Sequence, residues 1–116
     1  MPQETLHIED QPGTHDGQRI LSLDGALVLT TMFGFQRTIR ADTSRSLILD
    51  FARVSYIDSA GIGALVGAYV TRQHGGRSLA LVGVSERVRN ALQVTHVEQF
   101  FRFFDSVSEA EEATAA

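Results

Sequence analysis

Apolar and polar positions follow two different periods along this chain of 116 residues. Short apolar or alternating runs predict β-strands, whereas apolar residues spaced three and four apart predict helices. The predicted strands cover residues 6–9, 19–24, 47–51, 78–84 and 101–104, and the predicted helices cover residues 27–41, 60–74, 86–95 and the C-terminal tail. Strands that alternate with helices indicate crossover connections. We therefore expect one α/β domain over residues 1–116, a sandwich with about four helices packed on a mixed β-sheet.

The boundaries of several elements are marked by turn and capping residues. Residues 11–17, QPGTHDG, predict a loop between the first two strands. Gly75 and Gly76 follow the predicted helix 60–74 and can take the left-handed conformation that closes a helix. Ser85 is the expected N-cap of the next helix. Ser106 begins a capping-box spacing, and we expect the tail behind it to form a solvated helix.

The residue types that are missing narrow the chemistry. All ten basic residues are arginines, and the chain has no cysteine. Disulfides, thiolate catalysis, Schiff bases and the lysine of a phosphate-binding P-loop are therefore excluded. The arginines are scattered and the net charge is -4, so we do not expect nucleic-acid binding. The four histidines lack the close spacing of metal ligands, and we expect no metal and no cofactor.

The longest apolar stretch is too short and too interrupted for a membrane span. Residues 54–70 contain Asp58 and fall below the roughly 20 apolar residues that a spanning helix needs. The first ten residues, MPQETLHIED, lack the basic and then apolar order of a secretion signal. We therefore expect a cytoplasmic protein with no direct membrane insertion.

The stretch YIDSAGIGALVGAYV, residues 56–70, carries the candidate chemistry. A hydrolase nucleophile elbow has the pattern G-x-S-x-G, but Ile57 stands where its first glycine would be. A dinucleotide-binding G-x-G-x-x-G motif would need glycine at position 66, where Val66 stands. Both readings are therefore disfavoured. Gly63 and Gly67 are better explained as flat positions where the helix packs on its own sheet.

Ser59 lies where an apolar segment ends and a helix begins. Serine and aspartate are both favoured as N-caps, so Asp58 or Ser59 can be a plain cap. A phosphoserine is also tolerated there, because free backbone N–H groups and the helix dipole favour negative charge. Physical reasoning leaves the cap and the phosphate acceptor open together. Three small residues lie opposite the apolar side of the helix: Ala60, Ala64 and Ala68. They predict a smooth, exposed face on which another protein can dock.

The run LILDFARVSYIDSAGIGAL, residues 47–65, resembles the signature of STAS domains, in particular bacterial anti-sigma-factor antagonists. The resemblance extends less sharply over residues 19–112. It implies a β-β-α-β-α-β-α-β-α STAS sandwich and a non-catalytic switching role. It also implies that Ser59 is the residue that becomes phosphorylated. The implied partner-binding residues are Asp58, Ser59, Ala60, Gly61, Gly63 and Ala64.

The resemblance also implies partners. An unphosphorylated antagonist binds a serine kinase that doubles as the anti-sigma factor, and a metal-dependent serine phosphatase resets the phosphorylated form. A constitutive adaptor role, in a lipid ABC transporter or a stress-signalling complex, stays open as the alternative, and so does a homodimer. Many relatives have G-E-L-D after the second strand, whereas this chain has GALV, so that Val28 replaces an acidic residue. This departure favours the alternative slightly.

Overall fold

The computed structural model describes residues 5–115. The strands are β1 (Leu6–Pro12), β2 (Gln18–Leu27), β3 (Ser46–Ile57), β4 (Ser78–Val82) and β5 (Arg102–Phe104). The helices are α1 (Met32–Ala41), α2 (Ser59–His74), α3 (Glu86–Val94) and α4 (Val107–Ala113), and a 3-10 turn covers Glu98–Phe100. The order of elements is the predicted one.

Within residues 5–115, the strands form one sheet in the order β1-β2-β3-β4-β5. β1 is antiparallel to β2, and the other neighbours are parallel. Parallel neighbours require a crossover, which α1, α2 and α3 provide. These three helices therefore begin at the edge of the sheet where the parallel strands end. A mixed sheet with four helices confirms the predicted fold class.

The core is divided between the two faces of the sheet. The larger cluster lies beneath the first three helices and includes Phe35, Leu49, Leu65 and Leu92. The smaller cluster lies beneath α4 and consists of Ile20, Ile48, Ala80, Val82 and Ala110. The prediction of a solvated tail helix is therefore wrong. Its buried side is apolar at Ala110, and the neighbouring Glu111 accepts the backbone N–H of Thr14 at 2.7 Å.

Three strands, β1, β2 and β3, are longer than their hydrophobic patterns predicted. β2 continues through Gly25 to Leu27, and β3 continues to Ile57. Leu27 and Ile57 pair with each other at the ends of the two strands. The extension needs two register shifts in the pairing, which depend on contacts between distant segments. α1 consequently begins at Met32 rather than at Leu27, because Leu27 belongs to the strand. The first loop is also shorter than predicted, since Pro12 still pairs with Arg19.

The predicted helix ends are partly confirmed. Ser85 and Ser106 are N-caps, and their hydroxyls accept backbone N–H groups at 3.1 Å. At the end of α2, Gly76 has a left-handed φ of 69°, whereas Gly75 has an ordinary φ of -84°. Among residues 5–115, no helix has the length and apolar character that crossing a membrane requires.

Candidate functional site

The candidate site lies at the edge of the sheet where β3 passes into α2. β3 ends at Ile57, α2 begins at Ser59, and Asp58 is the single residue between them. Asp58 has an extended backbone with φ -106° and ψ -177°, which is typical of an N-cap. The strand therefore turns into the helix without an intervening loop. Ser59 is placed in the first turn, at the positive end of the helix dipole.

The carboxylate of Asp58 joins two segments of the chain. One oxygen, Oδ1, accepts the backbone N–H of Gly61 at 2.8 Å and caps α2. The other, Oδ2, accepts the backbone N–H of Leu29 at 3.1 Å and ties the β2–α1 loop to the same point. The backbone N–H of Asp58 also donates to the carbonyl oxygen of Leu27 at 3.3 Å. Asp58 is thus both the cap of α2 and a clamp on the neighbouring loop.

Ser59 has a different role from the residue before it. Its side chain is exposed, and its hydroxyl makes no hydrogen bond with any residue between 5 and 115. Because Asp58 supplies the cap, the fold does not use the hydroxyl of Ser59. The backbone N–H groups of Ser59 and Ala60 have no intrahelical acceptor, as at the start of any helix. An anion on the Ser59 oxygen would therefore lie near unpaired donors.

Gly61 is required by a close approach inside the protein. A Cβ atom at this position would lie 2.0 Å from the carbonyl oxygen of Leu27. Any larger residue would therefore push the start of α2 away from the end of β2. Gly61 is also buried, so it affects the site through the position of α2 and does not contact a partner itself.

The small residues of α2 face the opposite way from the prediction. Ala64 and Ala68 are 3% and 5% exposed, because they lie on the side of α2 that packs into the core. The predicted exposed alanine face is therefore wrong. Gly63 and Gly67 are exposed instead, and a Cβ atom at either would meet no atom within 4 Å. Their predicted role in packing α2 on its own sheet is also wrong.

Four of the predicted partner-binding residues remain at the surface. Ser59 and Gly63 are exposed, and Asp58 and Ala60 are half-buried beside them. Gly61 and Ala64, which were predicted with them, are buried and cannot contact a partner directly.

Two exposed apolar residues near this site were not predicted from the sequence. Leu29 and Phe33 are each 57% exposed, and the backbone of Leu29 is bonded to Asp58. A signal for Phe33 was available, because Phe35 and Ile39 form the inward face of α1 and leave Phe33 on its outer side. No comparable signal marks Leu29, which lies in the loop before α1.

The two residues that depart from the G-E-L-D pattern are buried in the structure. Ala26 and Val28 stand where that pattern has acidic residues, and they are 2% and 7% exposed. The backbone around them is held by Thr31, whose hydroxyl donates to the Ala26 carbonyl oxygen at 2.8 Å and accepts the Val28 N–H at 2.9 Å. The end of β2 and the first residue of the loop after it are therefore apolar where the pattern has acidic residues.

These features define an α/β sandwich in which the candidate site is a serine on a helix start, beside a clamped loop. The chain belongs to the STAS family, since the model of the STAS domain matches residues 8–110. The family resemblance of the stretch around Ser59 is thereby confirmed.

Three relatives illustrate the likeness. The chain is 28% identical over 85 residues to the anti-sigma-B factor antagonist of Staphylococcus epidermidis, covering 71% of this chain and 79% of the relative. An anti-sigma factor antagonist from Mycobacterium paratuberculosis superposes with a TM-score of 0.78 at 20% identity, covering 95% and 96% of the two chains. The third is the Bacillus cell fate determinant SpoIIAA, an anti-sigma factor antagonist.

SpoIIAA has been solved in two forms. The unphosphorylated form superposes with a TM-score of 0.75 and covers 95% of this chain and 98% of its own. The phosphorylated form gives a TM-score of 0.71 and covers 92% and 98%. Both are 17% identical to this chain, so the likeness concerns the fold.

Proposed function

We propose that this STAS domain is an anti-sigma-factor antagonist and that phosphorylation of Ser59 controls its binding to a serine-kinase anti-sigma factor. The exposed hydroxyl of Ser59 carries the proposal, because Asp58 caps the helix and leaves that hydroxyl without a structural task. The Staphylococcus epidermidis relative is named an anti-sigma-B factor antagonist, which supports the class of partner. SpoIIAA exists in a phosphorylated form, which supports this kind of control.

The proposed cycle follows from the position of Ser59. Unphosphorylated, the flat surface around Ser59 and Gly63 binds the kinase and so releases a sigma factor. Phosphorylation adds about -1.5 to -2 charges on an exposed helix start, which changes the docking surface without disturbing the core. The phosphorylated protein leaves the kinase, and a metal-dependent serine phosphatase restores it. In this cycle the protein is a substrate and a binding partner, not an enzyme.

The first experiment maps the phosphate. The purified protein is incubated with an ATP-binding anti-sigma kinase from its own organism and with Mg-ATP, and the modified residue is identified by mass spectrometry. We expect one phosphate on Ser59, none on the Ser59→Ala variant, and unchanged modification of Ser55→Ala. Ser55 is a suitable control because it is an exposed serine only four residues away. A phosphate elsewhere, or none, would overturn the proposal.

The second experiment tests the switch. Binding of the same kinase is measured by calorimetry for wild type, Ser59→Ala and Ser59→Asp. We expect Ser59→Ala to bind like wild type and Ser59→Asp to bind at least tenfold more weakly, because the carboxylate adds charge and bulk at the docking surface. Equal binding by all three proteins would contradict phosphorylation control. Capture of a transporter ATPase instead of a kinase from native cells would favour the constitutive adaptor.

A further inference from the structure

The outer surface of α1 and α2 has an unusual combination of exposed side chains. We define the α1–α2 surface as Leu29, Phe33, Arg37 and Arg40 on the α1 side, with Ser59, Gly63 and Gly67 on the α2 side. Leu29 and Phe33 are each 57% exposed, although the burial of a large apolar side chain would stabilise the protein. Leu29 lies in the loop before α1 and Phe33 in the first turn of the helix, so two large apolar side chains are exposed where this loop enters α1, and a partner can cover them.

The geometry of the two helices brings these residues together. α1 and α2 both begin at the same edge of the sheet and pack against each other, so they run in parallel. Phe33, Arg37 and Arg40 lie one turn apart along the outer side of α1. Ser59, Gly63 and Gly67 lie one turn apart along α2. Between the helices is a shallow groove of about 90 Å³, whose lining includes Arg40 and Gly67.

The charge of this surface is opposite to that of the whole chain. The chain has a net charge of -4, yet neither α1 nor α2 contains an aspartate or glutamate. The carboxylates at the borders of the surface are already engaged. Asp58 accepts two backbone N–H groups, and Asp42 is paired with Arg72 and 8% exposed at its side chain. The exposed charges of the surface are therefore those of Arg37 and Arg40.

The outer side of α1 thus combines an apolar anchor with guanidinium groups one and two turns further along. A helix whose apolar side contacts Phe33 and Leu29 would place its flanking residues against Arg37 and Arg40. Carboxylates at those flanking positions would form charge-assisted hydrogen bonds with the guanidinium groups. The exposed glycines of α2 add no bulk beside this path, so the backbone of an incoming helix can approach closely.

We propose that the α1–α2 surface binds an amphipathic helix of the partner, one that has a narrow apolar side flanked by glutamate or aspartate residues. The inference rests on the proposed function, because it assigns the chemistry of the partner that the site around Ser59 binds. The α1–α2 surface adds a determinant of partner specificity that Ser59 does not provide. Recognition by an apolar and basic surface excludes partners whose docking helix is basic.

The test uses the anti-sigma kinase that binds the wild-type protein and measures the Kd of matched variants at low salt. Arg37→Glu combined with Arg40→Glu reverses the charge of the surface, and Arg53→Glu combined with Arg102→Glu makes the same change in net charge elsewhere. Arg53 and Arg102 are both exposed and lie outside α1 and α2. We expect the first pair to raise Kd at least tenfold and the second pair to raise it less than twofold.

The apolar part is tested in the same assay. Phe33→Ala should raise Kd about tenfold, as expected for an aromatic anchor, whereas Val94→Ala should leave Kd unchanged. Val94 is the matched control because it is an apolar residue with 68% exposure on another helix. A loss of affinity that is equal for both variants would contradict the proposal.

The partner's side is identified by crosslinking. A photoreactive amino acid in place of Phe33 should crosslink to an acidic helix of the kinase. Replacing two carboxylates of that helix by lysine should restore binding to the Arg37→Glu, Arg40→Glu protein. A crosslink to a basic or non-helical segment, or unchanged binding by both surface variants, overturns this inference while the proposed function stands. If no kinase binds the wild-type protein, the proposed function itself fails.

Discussion

The two ends of α2 are each fixed by one polar side chain, but the two side chains differ in exposure and in what lies beside them. At the amino end, Asp58 accepts the N–H groups of Gly61 and Leu29 and stays half-buried, with the free hydroxyl of Ser59 beside it. At the carboxyl end, Arg72 is only 1% exposed. At the amino end the fixing residue thus borders an exposed and unpaired hydroxyl, whereas at the carboxyl end the fixing residue is itself buried, although Gln73 and His74 next to it are exposed.

Arg72 joins segments that are far apart in the chain. Its Nε donates to the carbonyl oxygen of Ser78 at 2.8 Å, and its Nη2 donates to the carbonyl oxygen of Ser44 at 2.6 Å. Its Nη1 lies 3.4 Å from the carboxylate of Asp42. Burial lowers the pKa of the Arg72 guanidinium, and the carboxylate of Asp42 partly offsets this by raising it. All three nitrogens of the Arg72 guanidinium donate within the protein.

The comparison distinguishes polar residues that stabilise the fold from polar residues that are available to a partner. A buried polar group whose hydrogen bonds are all internal stabilises the fold, and removing it leaves its partners unsatisfied. A polar group that is exposed and unpaired contributes little to the fold and is available to a partner. By this criterion Arg72 and Asp58 are structural, whereas Ser59 has no structural role and its hydroxyl is available to a partner.

The largest effect on stability is expected at Arg72. Arg72→Ala should lower the free energy of unfolding by about 3–5 kcal/mol, because the buried carboxylate of Asp42 would lose its cation and two carbonyl oxygens would lose their donors. Chemical denaturation followed by circular dichroism measures the loss. Arg40→Ala is the control and should change stability by less than about 0.5 kcal/mol, since its side chain is exposed. Equal stability of the two variants would refute the view that Arg72 anchors this end.

A smaller loss of stability is expected at the amino end of α2 when Gly61 is changed. Gly61→Ala should lower the free energy of unfolding by about 1–3 kcal/mol, because its Cβ atom would collide with the carbonyl oxygen of Leu27. Gly63→Ala is the matched control, two residues later in the same helix. It should raise stability by about 0.5–1 kcal/mol, because alanine is the better helix former and meets no neighbour there. A loss of stability at both positions would contradict the difference between the close contact at Gly61 and the open space at Gly63.

The third effect on stability is expected at Asp58, which joins the β2–α1 loop to the start of α2. Asp58→Ala should lower the free energy of unfolding by about 1 kcal/mol through loss of the N-cap. It should also speed hydrogen exchange at the backbone N–H of Leu29, which loses its acceptor. Asp58→Asn keeps an acceptor oxygen and should retain most of the stability. If exchange at Leu29 is the same in wild type and Asp58→Ala, the carboxylate does not tie the loop to α2.

The contrast between the two ends was only half predictable from the sequence. The motif and the capping preference located Asp58 and Ser59, because both depend on residues adjacent in the chain. Nothing local marks Arg72 as buried, since its burial depends on how the residues before β3 and β4 come together at the end of α2. A charged residue near a helix end is ordinarily expected to be exposed.

The small residues of α2 show a second limit of pattern analysis. Alanine and glycine differ little in hydropathy, so the spacing of Ala64, Ala68, Gly63 and Gly67 does not indicate which set faces inward. The answer depends on the packing of α2 against the sheet and α1, which lies outside the helix's own sequence. The elements themselves were predictable because large apolar residues set the two periods. The extended ends of β2 and β3 were not, because their pairing is between distant segments.

The smallest effect on stability is expected at Ser59, and it decides between a cap and a phosphate acceptor. Ser59→Ala should change the free energy of unfolding by less than about 0.5 kcal/mol, because the hydroxyl has no hydrogen bond within residues 5–115. Ser85→Ala is the matched control, because its hydroxyl accepts the N–H of Val88, and its loss should cost about 1 kcal/mol. A comparable loss at Ser59 would identify it as a structural cap. A negligible loss, together with unchanged kinase binding, would leave the hydroxyl free to accept phosphate.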